Sequence, residues 1–347
     1  MPEGQKGVTE ELRRAEFRRE PRGVGADFPS QGRSSPVRRR TAKRGYSIEA
    51  LKPYRLAAYS ALALLVLARC SPGEPVCSDP DIEAGPVDRA AIDGGATPPL
   101  AILLYTYSTG FRHESIPDGI AAIRALGSAN GFGVDVKGSA LSKRGSYCIN
   151  QPEPADMAYF TADNLSKYAA VVFLSTTTEK TPTSTLLDDA GKAAFEAYVR
   201  AGGGFVGIHA AADAEYGWAF YHDLLGATFL AHGPAVTSSL RVEDAVHPAS
   251  SALPNPWLRY DEWYDFTEDP RATAHVLINL DEATYPNNPS PMGDHPIAWC
   301  KTVGAGRSLY SGLGHTSAAY ADPIVQQHLL GGILYATGAV AADCSTP

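Results

Sequence analysis

The feature that most constrains this chain is an alternation, between residues 100 and 212, of near-continuous apolar runs with segments of helical periodicity. "LAILLYTYS" (100–108), "YAAVVFLSTTTE" (168–179) and "GFVGIHA" (204–210) do not alternate apolar with polar residues, as half-solvated strands would. Each therefore reads as a strand buried on both faces, the mark of a parallel sheet. "SIPDGIAAIRALGSANG" sets Ile116, Ile120, Ile123 and Leu126 at helical spacing, with Ser115 as the expected N-cap and Pro117 in the first turn. "FGVDVKG" reads as another strand, and "LLDDAGKAAFEAYVRAGGG" as a helix stopped by glycine. The prediction is an α/β fold: a doubly wound, mostly parallel sheet flanked by helices. Ligands of such sheets sit at the carboxyl ends of the strands, so "TGFRH", "STTTE" and "HAAAD" are expected on one rim.

The later half is less regular. Residues 235–244, 274–281 and 295–316 read as strands, the last segment as a hairpin turning at "GAGR", and 321–338 as a closing helix. The stretch 140–164 reads as irregular. One folded domain over 100–340 fits this pattern better than two.

Ahead of it the character changes. Residues 1–50 are basic, poor in apolar residues and without periodicity, so they cannot bury a core. Residues 51–70 have Lys52 and Arg55 before an apolar run, Leu56–Ala68, that is short for a membrane span. With Cys70 directly after it, this segment resembles a bacterial lipoprotein signal, although Arg69 stands where such signals carry a small residue. The implication is export to the periplasm or cell surface, with lipidation of Cys70 anchoring the chain to the membrane. A basic stretch ahead of a signal also points to translation starting further down, near Val37 or Leu51. Residues 71–99, rich in Pro, Gly and Asp, read as a flexible linker. From Cys70 onward there are 15 Lys/Arg against 31 Asp/Glu, a formal charge of −16, which argues against nucleic acid as a partner. Cys77, Cys148, Cys300 and Cys344 allow two disulfides or four thiols, and their spacing fits no zinc pattern.

General motifs fail. "GGGFVG" fits G-x-G-x-x-G in letters but lies between a helix and a strand, the reverse of the dinucleotide context, so no nucleotide cofactor is expected. There is no Walker A, H-E-x-x-H or G-x-S-x-G. What remains is a set of histidines beside glycine or acid at strand ends: His113, His209, His232, His295 and His315. Singly, each reads as a structural histidine; several on one rim suit proton transfer or metal ligation. Acids accompany them. Asp213 and Glu215 follow His209, Asp261 and Glu262 lie in "YDEWYDF", and Asp294 precedes His295. Aromatics flank the acids, a combination that suits sugars, whose C–H faces stack on rings.

Together "TGFRHESIPDG", "YAAVVFLSTTTE", "FEAYVRAGGGFVGIHAAADAEYGWAFYHDLLGATFLAH", "YDEWYDF", "MGDHPIAWC", "GRSLYSGLGHT" and "HLLGGILYATG" resemble the ThuA-like (trehalose-utilisation) family from about Leu100 to Gly338. The resemblance implies a flavodoxin-like fold of the class I glutamine amidotransferase type. In that superfamily the strand-to-helix elbow presents a Cys and a later strand end presents its His; "GFVGIHAA" and "LYSGLGHT" resemble those two segments. His209 stands where the Cys would be, so no glutaminase activity is expected. The family's setting implies a carbohydrate substrate, a glycoside or keto-sugar of trehalose type. On this reading His113, His209, His295 and His315 line the crevice floor, with Asp213, Glu215, Asp261 and Glu262 at its rim. His209 and His315 form the proton-transfer pair, Trp263 or Trp299 is the stacking platform, and Tyr216 and Arg112 contact substrate. A divalent metal held by two or three of the histidines and an acid is left open, as is a non-catalytic carbohydrate-binding module.

Overall fold

The computed structural model describes residues 100–138, 141–144, 147–150 and 159–345. The expected basic segment, signal with Cys70, linker and Cys77 lie outside them.

The first strand, β1 (Ala101–Tyr105), is buried on both faces, as its unbroken apolar run requires. Helix α1 (Ile116–Asn130) follows, then β2 (Gly133–Lys137). Pro117 stands in the first turn of α1, but Ser115 does not cap it: its hydroxyl donates instead to the Gly314 carbonyl, 2.9 Å away. Where an irregular stretch was expected, β3 (Leu141–Arg144) and β4 (Tyr147–Asn150) form a small antiparallel pair, and α2 (Ala162–Leu165) precedes β5 (Ala170–Leu174). Then come α3 (Asp189–Arg200), β6 (Gly204–Ile208), α4 (Ala219–Leu225) and β7 (Phe229–His232). The glycines at the α3–β6 junction have separate uses. Gly202 takes a left-handed φ of 118°, and a Cβ on Gly204 would lie 2.1 Å from the Ala336 carbonyl oxygen. The chain continues through β8 (Val236–Val242), β9 (Trp257–Asp261), β10 (Tyr264–Phe266), β11 (His275–Leu280), β12 (Pro296–Val303) and β13 (Gly306–Ser311). Helices α5 (Ser317–Ala321) and α6 (Pro323–Ala336) end it.

Nine strands form one sheet in the order β2-β1-β5-β6-β13-β12-β11-β8-β9. The half from β2 to β13 is parallel, in the flavodoxin-like order, and the remaining strands add antiparallel. Alternate residues of β1 serve opposite cores. Ile102 and Leu104 pack with Ile120 and Ile333 of α1 and α6, whereas Leu103 and Tyr105 pack with Phe195 of α3. Helices therefore cover both faces, as the sequence predicts. Register places Leu174, Ile208 and Ser311 side by side at the carboxyl rim, so the segments after β5, β6 and β13 leave the sheet together. Among the described residues no helix is long and apolar enough to cross a membrane.

Cys300 of β12 is disulfide-bonded to Cys344, which fastens the tail beyond α6 to the sheet across a sequence separation of 44 residues. Closing a loop of that length restricts the unfolded chain. Replacing Cys344 with alanine is expected to lower unfolding stability by about 2–4 kcal/mol in urea titrations. Added reductant should reproduce the loss in the parent protein and do nothing to the variant.

Candidate functional site

His209 is the first residue beyond β6 and opens a short 3-10 turn, His209–Ala212, rather than a long helix. Its φ is 48°, a left-handed value that a non-glycine side chain adopts only where the surroundings force it. Tyr310 holds it there by donating its hydroxyl to the His209 carbonyl at 2.9 Å. A sharp turn with a left-handed residue thus follows β6, with an imidazole displayed on it.

Three histidines meet at this point. The His113 ring, from the β1–α1 loop, lies 4.8 Å centroid to centroid from His209 and 5.4 Å from His315, which follows β13. His209 and His315 are 5.3 Å apart. Glu262, in the turn between β9 and β10, reaches over the rim and joins them. Its Oε2 is 3.6 Å from His209 Nε2 and 3.1 Å from His315 Nδ1, and its Oε1 is 3.1 Å from His232 Nδ1. The ligand atoms of His113, His209, Glu262 and His315 all lie within 4.8 Å of one another, close enough to share a metal ion; the other such group among the described residues, His247 with Cys300 and Cys344, has its two sulfurs joined in a disulfide. His209 and His113 are buried, while the His315 and His232 side chains keep 30% and 43% of their surface, so the cluster opens on that side.

The electrostatics follow from this packing. Burial, reinforced by His209 and His315, drives His113 down to about 2, so it is neutral near pH 7. Burial pushes Glu262 upward, but the imidazoles of His209 and His315 overcome that and hold it well below the ordinary carboxylate range. Glu262 in turn raises His315 above a free imidazole, against the effect of burial.

The four acids expected at the rim divide. Asp213 is half-buried and bonded to the Tyr216 hydroxyl; burial lifts it to about 6, close to neutral pH. Asp261 is fully buried and accepts backbone N–H groups of Glu262, Gly314 and His315, each at 3.0 Å. It therefore builds the loops that carry Glu262 and His315. Glu215 belongs elsewhere. Its carboxylate is completely buried and takes N–H bonds from Leu186 and Leu187, the Thr185 hydroxyl at 2.8 Å and the Lys192 ammonium at 2.9 Å. No acceptor capacity is left for a substrate, which corrects its assignment as a site acid.

His295 is also corrected. It is fully buried, with Nδ1 2.9 Å from Glu282 and Nε2 2.9 Å from the Tyr264 carbonyl, and it does not join the cluster. Trp263 and Trp299 cannot be stacking platforms, because both are fully buried, with Nε1–H donated to Val236 and Leu225 carbonyls. Arg112 is partly buried and donates to the Thr106 carbonyl at 2.9 Å, pinning the His113 loop. The exposed ring at the site is instead Phe111, 66% exposed, whose edge-to-face contact with His113 spans 5.0 Å. Tyr264 closes the floor 4.5 Å from the His209 ring. Tyr264 belongs to the aromatics beside the acids in "YDEWYDF", but Phe111 did not stand out in the sequence, where it is one apolar letter inside "TGFRHES". The contact of His232 with Glu262 was likewise invisible, because 30 residues separate them.

Comparisons with known proteins agree with this fold. Residues 101–336 match the ThuA family, described as trehalose utilisation. A ThuA-like protein from Bacteroides uniformis ATCC 8492 is similar in structure with a TM-score of 0.55 at 23% identity, over 71% of this chain and 94% of that one. A second, from Parabacteroides merdae ATCC 43184, gives 0.54 at 21% identity, over 71% and 92%. At such identities the likeness is one of fold. No curated protein matches the chain.

Proposed function

The chain belongs to the ThuA (trehalose utilisation) family, and from that premise we propose that it acts on a carbohydrate at the His113–His209–His315–Glu262 cluster. The observation that carries this reading is the convergence of four side chains from four separate segments on one opening at the carboxyl rim of the parallel strands. The substrate class is a glycoside or keto-sugar of trehalose type. Glu262, ionised, and His315, partly exposed and inclined to hold a proton, are the members that a sugar oxygen can reach. Asp213, poised near neutral pH, is a further proton carrier close by. Phe111 offers the ring on which a pyranose face can stack. The elbow bears His209, so the cysteine chemistry of a glutaminase forms no part of the reading. The Cys300–Cys344 disulfide suits an oxidising compartment and supports export, with anchoring through Cys70.

The test is calorimetry and product analysis of the purified full chain against trehalose-type disaccharides and their keto forms. Binding and turnover of at least one sugar are expected, with turnover falling at least about 100-fold in His315→Ala at unchanged circular dichroism. Binding with no turnover in the parent would favour a carbohydrate-binding module, and absence of binding to every sugar would overturn the reading.

A further inference from the structure

We propose that His113, His209, His315 and Glu262 form a binding site for a single divalent transition-metal ion of the Zn²⁺, Co²⁺ or Mn²⁺ class. The inference goes beyond the carbohydrate reading and stands without it.

Its starting point is a set of buried imidazole nitrogens that make no hydrogen bond. His113 Nδ1 and His209 Nε2 lack a hydrogen-bond partner, and His315 Nδ1 has an ion-pair contact with Glu262 Oε2 at 3.1 Å in place of one. One such atom would be a minor cost; three facing one another within a few ångströms call for an explanation.

His209 supplies the sharpest part of the argument. Its Nδ1 is 3.1 Å from the Gly312 carbonyl, which can only accept, so Nδ1 carries the hydrogen. In a neutral ring Nε2 then presents its lone pair, and it presents it to Glu262 Oε2 at 3.6 Å. A lone pair facing a carboxylate oxygen is repulsive unless a cation lies between them. A proton on Nε2 would turn the repulsion into attraction, but at 3.6 Å it forms no proper N–H···O bond. A metal ion would bond to both atoms. With bonds of about 2.0–2.1 Å, neighbouring ligand atoms of a tetrahedral site lie about 3.3–3.4 Å apart. The distances of 3.6 and 3.1 Å from Glu262 Oε2 to His209 and His315 bracket that value.

The donor set selects the ion. Three imidazoles and one carboxylate suit borderline transition metals, whereas Mg²⁺ and Ca²⁺ require oxygen ligands. An outer layer is also in place. The Gly312 carbonyl fixes the tautomer of His209, and His232, whose Nδ1 bonds the Gly233 carbonyl at 2.8 Å, lies 3.1 Å from the other oxygen of Glu262. The partly exposed side, between His315 and His232, leaves a direction from which a water or a sugar oxygen could approach. With the ion seated, His209 and His315 serve as ligands, and proton transfer falls to Asp213 at the rim.

The experiment uses the full-length chain without a polyhistidine tag, stripped with chelator and titrated with Zn²⁺ and with Co²⁺. Calorimetry should show one equivalent bound, and Co²⁺ should develop visible bands of low-symmetry coordination; Mg²⁺ in excess should not compete. His209→Gln and Glu262→Gln should each weaken binding at least about 100-fold, more than the loss of an outer-layer partner alone. His275→Gln, whose ring is paired with Asp244 away from the cluster, should bind as the parent does. Absence of a stoichiometric ion, or affinity unchanged in variants with native circular dichroism, would overturn the site. If His209→Gln fails to fold, Glu262→Gln and the more exposed His315→Gln decide the matter. No sugar enters this titration, so its failure and that of the carbohydrate reading are told apart.

Discussion

Replacing Glu215 with alanine is expected to destabilise the domain by about 3–5 kcal/mol, the usual cost of breaking a buried ion pair. The carboxylate is fully buried and is the common acceptor for Leu186 N–H, Leu187 N–H, the Thr185 hydroxyl and the Lys192 ammonium. Alanine would leave the ammonium without its counter-charge and two buried amides without an acceptor. The residue itself sits at a left-handed φ of 56°, so the turn relies on these bonds to hold its shape. Glu215→Gln keeps an acceptor oxygen and should lose noticeably less. Urea titrations followed by circular dichroism give both values; an alanine variant within 1 kcal/mol of the parent would show that the network contributes little. Metal binding by whatever protein remains folded should be intact, because Glu215 touches no member of the histidine cluster.

That result would also explain where sequence reasoning succeeds and where it stops. The buried strands and their flanking helices were legible because continuous apolar runs and helical periodicity are local signals, and β1, β5, β6 and α1 follow them closely. The rim was legible too, since parallel strands deliver their following segments to one end, and His113, His209 and His315 arrive there together. The acids were not. Glu215 is near His209 in sequence, yet it turns toward residues 185–187, while Glu262 lies more than 50 residues from His209 and reaches it across the rim. A carboxylate's work depends on what it touches, and periodicity carries no information about that. Trp263 and Trp299 failed as platforms for a related reason: the motif marks them as aromatic, but only packing shows that they are core. The short strands β7 and β10, which bring His232 and Tyr264 to the site, are too brief for any pattern to announce.

The neighbouring pair Asp261 and Glu262 offers the most discriminating experiment, since identical truncations one residue apart are expected to act on different properties. Asp261 is buried and accepts three backbone N–H groups, two of them from the Gly314–His315 turn. Asp261→Ala strands all three; at about 1–3 kcal/mol for each unsatisfied buried group, a loss of 3 kcal/mol or more is expected. Asp261→Asn keeps an acceptor oxygen and should recover part of it. Glu262 accepts no comparable set of amides and contacts imidazoles; His315, whose protonated form it favours, can release that proton when the carboxylate is gone. Glu262→Ala is therefore expected to cost less than half as much stability as Asp261→Ala. Sugar turnover and Zn²⁺ binding should behave in the opposite sense, both collapsing in Glu262→Ala. Equal stability losses would mean that Glu262 is a structural acid like its neighbour. Retained turnover in a folded Glu262→Ala protein would move the chemistry away from this cluster altogether.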